Sequence, residues 1–177
     1  MRHATALLVF CLAACASNPY GYAPEYAPLG DEEDFIEHAQ DPSYEDVRRN
    51  PAEFDGTMIG WFAVVQKVEK GATAGQYRVS MDLRFHQERH LCTDQFDDSC
   101  RVTISERAGG PFTALMSLRS EDQAGKYRLG PESLVKVYGK ATHDFDAKGG
   151  PILRVDYYRH WPVGNYATTG HRGAMKR

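Results

Sequence analysis

The chain has 177 residues, 42% hydrophobic and 11% aromatic, with 21 Lys and Arg against 24 Asp and Glu, for a formal charge of −3 at pH 7. That content supplies one modest core, and nothing beyond the first residues approaches the run of about 20 apolar residues that a membrane-spanning helix needs. The charge is uneven: eleven acids between Ala16 and Asp55 face only Arg48 and Arg49, the body is near balance, and the final GHRGAMKR carries Arg172, Lys176 and Arg177 with no acid.

In chain order, "MRH" is a short basic start and "ATALLVFCLAA" an apolar run, too short to span a membrane but of the length of a secretory signal. Residues 1–14 are therefore read as a signal peptide. Leu12-Ala13-Ala14-Cys15 resembles the lipobox of bacterial lipoproteins. The resemblance implies cleavage before Cys15, lipid on its thiol, and several acyl chains, since one alone anchors only marginally. With Ala16 rather than Asp next, it also implies the outer membrane of a Gram-negative cell, on the periplasmic side. About 160 residues remain, enough for one domain and a linker.

Residues 15–55 read as a lipidated acidic linker. "NPYGYAPEYAPLGDEED" is rich in Pro, Gly, Tyr and acid without apolar period, as in an extended spacer. "DEEDFIEHAQ" and "PSYEDVRRNPAEFDG" suit short helical turns, with acids early in each where the helix dipole favours them.

From Gly56 the period becomes two. "GTMIGWFAVVQKVEK" is a strand candidate, apolar through its middle. "QYRVSMDLRFH" alternates, with Tyr77, Val79, Met81, Leu83 and Phe85 on one face and Arg78, Ser80, Asp82, Arg84 and His86 on the other. "CRVTISE" repeats this in short form. "SLVKVYGKATHDF" sets Val135, Val137 and Ala141 against Lys136, Tyr138 and Lys140. "PILRVDYYRHW" sets Leu153, Val155 and Tyr157 against Arg154, Asp156, Tyr158 and His160. Between these two, "DFDAKGGP" is a hairpin turn. Five strands, with the looser "PFTALMSLRSEDQAGKYRLGPE" between the third and fourth, resemble an OB-fold, a five-stranded barrel with its helix or irregular connection at that point. The expected fold is mainly β: a five- to six-stranded OB-like antiparallel barrel over 56–163, six-stranded if "FTALMSL" is itself a strand. A flexible acidic arm with short helical turns precedes it, and a basic tail, 164–177, follows. The order lipobox, polar spacer, "VRRNPAEFDGTMIGWFAVVQKVE" and alternating strands also loosely resembles the Slp family of outer-membrane lipoproteins.

Of four cysteines, Cys11 leaves with the signal and Cys15 takes the lipid. Cys92 and Cys100 then remain in an oxidising compartment, with seven residues between them in a polar loop. A disulfide closing that loop contributes about 2–3 kcal/mol on the chain-entropy account. His86 and His90 leave a zinc alternative open, although H-x3-H-x-C-x7-C is not a usual zinc spacing. The expectation is a disulfide, with no metal and no cofactor.

The expected ligand face gathers Arg78, Arg84, Lys136, Tyr138, Lys140, Arg154, Tyr158 and His160, cations among rings as on OB surfaces that bind polymers by stacking and charge neutralisation. A solvated face of an antiparallel sheet has the same composition. Trp161 before Pro162 reads as a plug of the barrel end, with a recognition anchor as the alternative, and Trp61 as core. No G-x-S-x-G, H-E-x-x-H or phosphate-binding glycine loop occurs, and Lys148 rules "DFDAKGG" out as an EF-hand loop. The function expected is non-catalytic: binding or scaffolding another envelope component, a protein complex. The alternative partner is a glycan or other anionic polymer, or anionic lipid. Nucleic acid is disfavoured by the address and by the acidic arm, which is placed to cover the basic face in cis.

Overall fold

The computed structural model describes residues 25–88 and 101–170. Three short helices come first: α1 (Gly30–His38), α2 (Tyr44–Arg49) and α3 (Pro51–Phe54). Local chemistry explains them. Acids fill the first turn of α1. The Ser43 hydroxyl accepts from the Asp46 N–H at the start of α2, and Arg48 and Arg49 end it. Pro51 opens α3, where no N–H is required.

The strands are β1 (Met58–Lys70), β2 (Gln76–His86), β3 (Val102–Ser117), β4 (Leu134–Phe145), β5 (Pro151–Trp161) and β6 (Tyr166–Thr168), with a one-turn helix α4 (Ser120–Gln123) between β3 and β4. They form one six-stranded sheet in the order β2-β1-β4-β5-β3-β6, and β2 pairs again with β3, so hydrogen bonds run in a ring through five strands. The wholly antiparallel sheet expected from sequence is corrected, because β3 pairs with both β5 and β6 in parallel. A β4–β5 hairpin whose return strand lands beside β3 forces that parallel contact.

Three further readings change. "CRVTISE" and "FTALMSL" are not a strand and a loose connection but two halves of the 16-residue β3. Its register against β2 passes from Arg84↔Ala108 to Leu83↔Gly110, leaving Gly109 unopposed, so the glycine pair bends the strand without ending it. Tyr166–Thr168, read as the start of the tail, adds β6 to the edge of β3. The acidic stretch, where described, is folded onto the sheet and is not a flexible arm. Tyr44 and Val47 join the main core, Glu32 is fully buried, and Gln40 bridges to Ile59 beside β1.

The core is double. Inside the ring, Ile59, Trp61, Ala63 and Val65 of β1 pack with Met81, Phe112, Val137 and Leu153. On the other face, Phe62 and Val64 pack with Val102, Ile104, Leu134 and Trp161. Cover on both faces is why β1 reads as a continuous apolar run without alternation. The hairpin read in "DFDAKGGP" is formed, with Asp146 Oδ1 accepting the N–H groups of Lys148 and Gly150.

The seat of α2 depends on Gly110, whose φ is +153° and where a Cβ would lie 2.4 Å from Tyr44 Cε1. The Tyr44 hydroxyl meanwhile donates to the carbonyl of Pro111 at 3.0 Å. Gly110→Ala therefore strains the backbone and displaces a core ring. We expect a loss of about 2–3 kcal/mol, read as a lower urea midpoint at unchanged slope.

Candidate functional site

A buried carboxylate organises the face beneath α1. Acids that begin a helix ordinarily face water, but Glu32 is 0% exposed. Its Oε1 accepts from the hydroxyls of Tyr26 and, at 2.8 Å, Tyr138. Its Oε2 takes the Leu29 N–H at 3.1 Å and Arg159 Nη1 at 3.3 Å. Arg159 also donates to the Ala27 carbonyl at 2.7 Å. Burial, and then the charge of Glu32, push the phenols of Tyr26 and Tyr138 well above the usual tyrosine range, so both stay neutral donors.

Lys136 stands beside this cluster and is only partly served by it. Its Nζ is 4.0 Å from Glu32 Oε1, and the side chain is 13% exposed. The ammonium lies 4.6, 5.1 and 5.0 Å from the ring centres of Tyr26, Phe62 and Tyr138. It makes no hydrogen bond among the described residues. Burial lowers its pKa from the ordinary lysine value, against the opposing charges of Glu32 and Asp41. Over it opens a groove of about 600 Å³ between the 39–43 segment and the strands β1 and β2. Register explains the opening: β1 pairs with β2 only from Phe62↔Arg84 onward, and Gln40 bridges beside Ile59. Ile36 and Phe85, both exposed, stand at the rim with Arg84. His86 stacks on Phe62 at 4.5 Å and 10°.

A second buried carboxylate ties α4 to β5. Asp122 accepts from His160 Nδ1 at 2.6 Å, from the Tyr158 hydroxyl at 2.6 Å and from Arg119 Nε at 3.0 Å. Burial alone would raise its pKa. The hydrogen bonds from His160 and Tyr158 and the charges of His160 and Arg119 outweigh that and hold it down to about 2. Burial and the bond to Asp122 push Tyr158 up to about 12. A cleft of about 430 Å³ lies alongside, between α4 and Leu29.

The single ligand face expected from sequence is corrected, because its eight residues fall into three places. Lys136 and Tyr138 lie beneath α1, and Arg84 stands at the groove rim with Nη1 on the Glu106 carbonyl. Tyr158 and His160 turn to the opposite face. The cause is a bulge: the pairs Tyr138↔Tyr157 and Gly139↔Val155 leave Asp156 unopposed, which inverts the alternation for the rest of β5. Arg78, Arg154 and Lys140 remain outside on one line across the strands, through Arg78↔Leu115, Leu115↔Arg154 and Lys140↔Arg154. None of these three makes an ion pair among the described residues. Cys15, Cys92, Cys100 and His90 lie outside the described residues.

Sequence reasoning missed Glu32, Tyr26, Phe62, Arg159 and Asp122. The available signal was the prospect of an acidic arm covering a basic face, but no local pattern marks which of eleven acids is buried. A scan against family models and a search of curated proteins each return no match.

Glu32→Ala removes the carboxylate that Arg159 meets at 3.3 Å in a buried site, so we expect a loss of about 3–5 kcal/mol in denaturant unfolding and faster proteolysis of the 25–55 segment. Asp122 is depressed in the fold, from 3.8 to about 2. Its ionised form therefore stabilises fully above the unfolded value and ceases to do so as pH falls through about 2. We expect the stability gap between wild type and Asp122→Asn to be constant near neutrality. It should shrink by at most about 2 kcal/mol between pH 4 and 2, as read by thermal unfolding across pH.

Proposed function

We propose that the chain is a non-catalytic binding module of the Gram-negative envelope. It is held to the periplasmic side of the outer membrane by lipid on Cys15 and works by engaging another envelope protein. Its ring is read as an OB-type barrel, stapled by a Cys92–Cys100 disulfide and using no cofactor. The order β1-β2-β3-β5-β4 around the ring, with one parallel pair and a helix between β3 and β4, supports the OB reading.

The observation that carries the binding proposal is the groove. Recognition sites combine apolar walls with a few placed polar groups, within about 300–1,000 Å³. Here Ile36, Phe85, Phe62 and Trp61 supply the former, and Lys136, Arg84 and Asp41 the latter. Large exposed apolar residues at a groove rim favour a protein partner over a sugar chain. A second reading keeps an anionic polymer as ligand, and the line Arg78–Arg154–Lys140 favours it: three cations in one register, with no ion pair among the described residues, suit an extended run of negative charge.

Photo-crosslinking in native cells separates the two. A crosslinker at Phe85 is expected to recover one stoichiometric envelope protein by mass spectrometry, while one at Arg154 recovers little. Adducts from Arg154 alone, or binding that Arg154→Glu with Lys140→Glu abolishes, would give the site to the polymer.

A further inference from the structure

We infer that the groove over Lys136 receives the carboxylate end of a partner's polypeptide chain, the terminal carboxylate meeting the ammonium and the last side chain lying against Phe62 and Phe85. The inference rests on the protein-partner reading and narrows it to one kind of contact.

The starting point is an ammonium that lines the groove and makes no hydrogen bond among the described residues. Lys136 is 13% exposed, and its nearest anion is Glu32 Oε1 at 4.0 Å. That oxygen already accepts from Tyr26 and Tyr138, and its companion from Leu29 and Arg159. The lone pairs of Glu32 are therefore committed. The rings of Tyr26, Phe62 and Tyr138 stabilise the charge through their faces, but they leave its three N–H groups without strong acceptors. The ammonium opens on the groove, and a carboxylate delivered there replaces its water with a charge-assisted bond.

The size of the site suits a chain end. Lys136, 13% exposed, lines the groove together with the more exposed Ile36 and Phe85. The volume, about 600 Å³, matches a few terminal residues. The charge at the floor selects the carboxyl end over the amino end. Asp41, on the 39–43 wall, is placed to accept from N–H groups of the entering chain, and Arg84 at the rim adds a second cation. Glu88 at the rim opposes strongly acidic chains, which favours a single terminal charge on an apolar residue. Capture of a C-terminal carboxylate is a recurring mode of peptide recognition.

The test uses the full chain in detergent micelles and a library of decapeptides with randomised last three positions, labelled at the amino end and read by fluorescence anisotropy. We expect retention of peptides ending in an aromatic or large aliphatic residue. Converting the terminal carboxylate to the amide should weaken binding about tenfold or more, as loss of a charge-assisted bond implies. Because that comparison uses the wild-type protein, it does not depend on any variant folding. Lys136→Met, checked for an unchanged unfolding midpoint, should bind acid and amide alike. Equal affinity of acids and amides for the wild type overturns the inference, as does the absence of any retained peptide. If the Phe85 crosslinker recovers a partner whose tail-truncated form still crosslinks, the chain-end inference fails while the partner reading stands. If no partner is recovered at all, both fail.

Discussion

The structure hinges on taking the Glu32 carboxylate out of water. An ionised carboxylate with no exposure carries a penalty of several kcal/mol, which only an opposite charge and well-made hydrogen bonds offset. Those partners exist at one place, where β4 and β5 set Tyr138 beside Tyr157 and Lys136 beside Arg159. The helix that carries Glu32 therefore has one seat. With α1 fixed there, Phe35 stacks on Tyr157 at 4.9 Å and 18°, Gln40 bridges β1, and Trp61 Nε1 donates to the Pro42 carbonyl at 3.0 Å. The seat of α2, with Tyr44 and Val47 in the main core, follows along the chain. A buried charge of this kind contributes register more than net stability, because a mispositioned α1 would bury the same carboxylate without partners.

The same device recurs on the other side of β5. Arg159 and His160 are adjacent and point to opposite faces, the first to Glu32 and the second to Asp122. The end of β5 is thus gripped from outside the ring by α1 and from its inner face by α4. Trp161, next in line, is 0% exposed in the second apolar cluster with Phe62 and Leu134. The aromatic-rich "YYRHW" is accordingly a structural hub. Its position as the terminal stretch of a ring strand lets helices from distant parts of the chain meet on consecutive residues.

What was legible follows from what is local. Period two identified the strands around Met81, Val137 and Leu153, and the Asp146 turn carried its own chemistry in its glycines. Bulges were not legible, because one unopposed residue leaves no mark on composition. At Asp156 that single residue reversed the faces of Tyr158 and His160, and at Gly109 it joined two segments that read as separate. Glu32 was illegible for another reason. Its neighbours Asp31, Glu33 and Asp34 make the segment look uniformly solvated, and only pairing between residues more than a hundred positions apart distinguishes it. The candidate site was legible in part: Lys136 and Tyr138 were singled out, but as exposed members of a broad face.

The groove follows from the arithmetic of that pairing. Two cations, Lys136 and Arg159, share one fully engaged carboxylate, and they do not share it equally. Arg159 reaches Glu32 Oε2 at 3.3 Å, whereas Lys136 stays at 4.0 Å from Oε1. A guanidinium is the more weakly hydrated of the two and presents a planar fork, so it is the easier to bury against a carboxylate. The ammonium is displaced toward the rings and the opening. The contact that seats α1 thereby leaves a cation at the floor of the space that α1 and the 39–43 segment create. An apolar groove alone would accept many partners with little discrimination. On the proposed reading, a cation with no hydrogen bond among the described residues adds discrimination, because a ligand without a matching anion would cover it and strip its water.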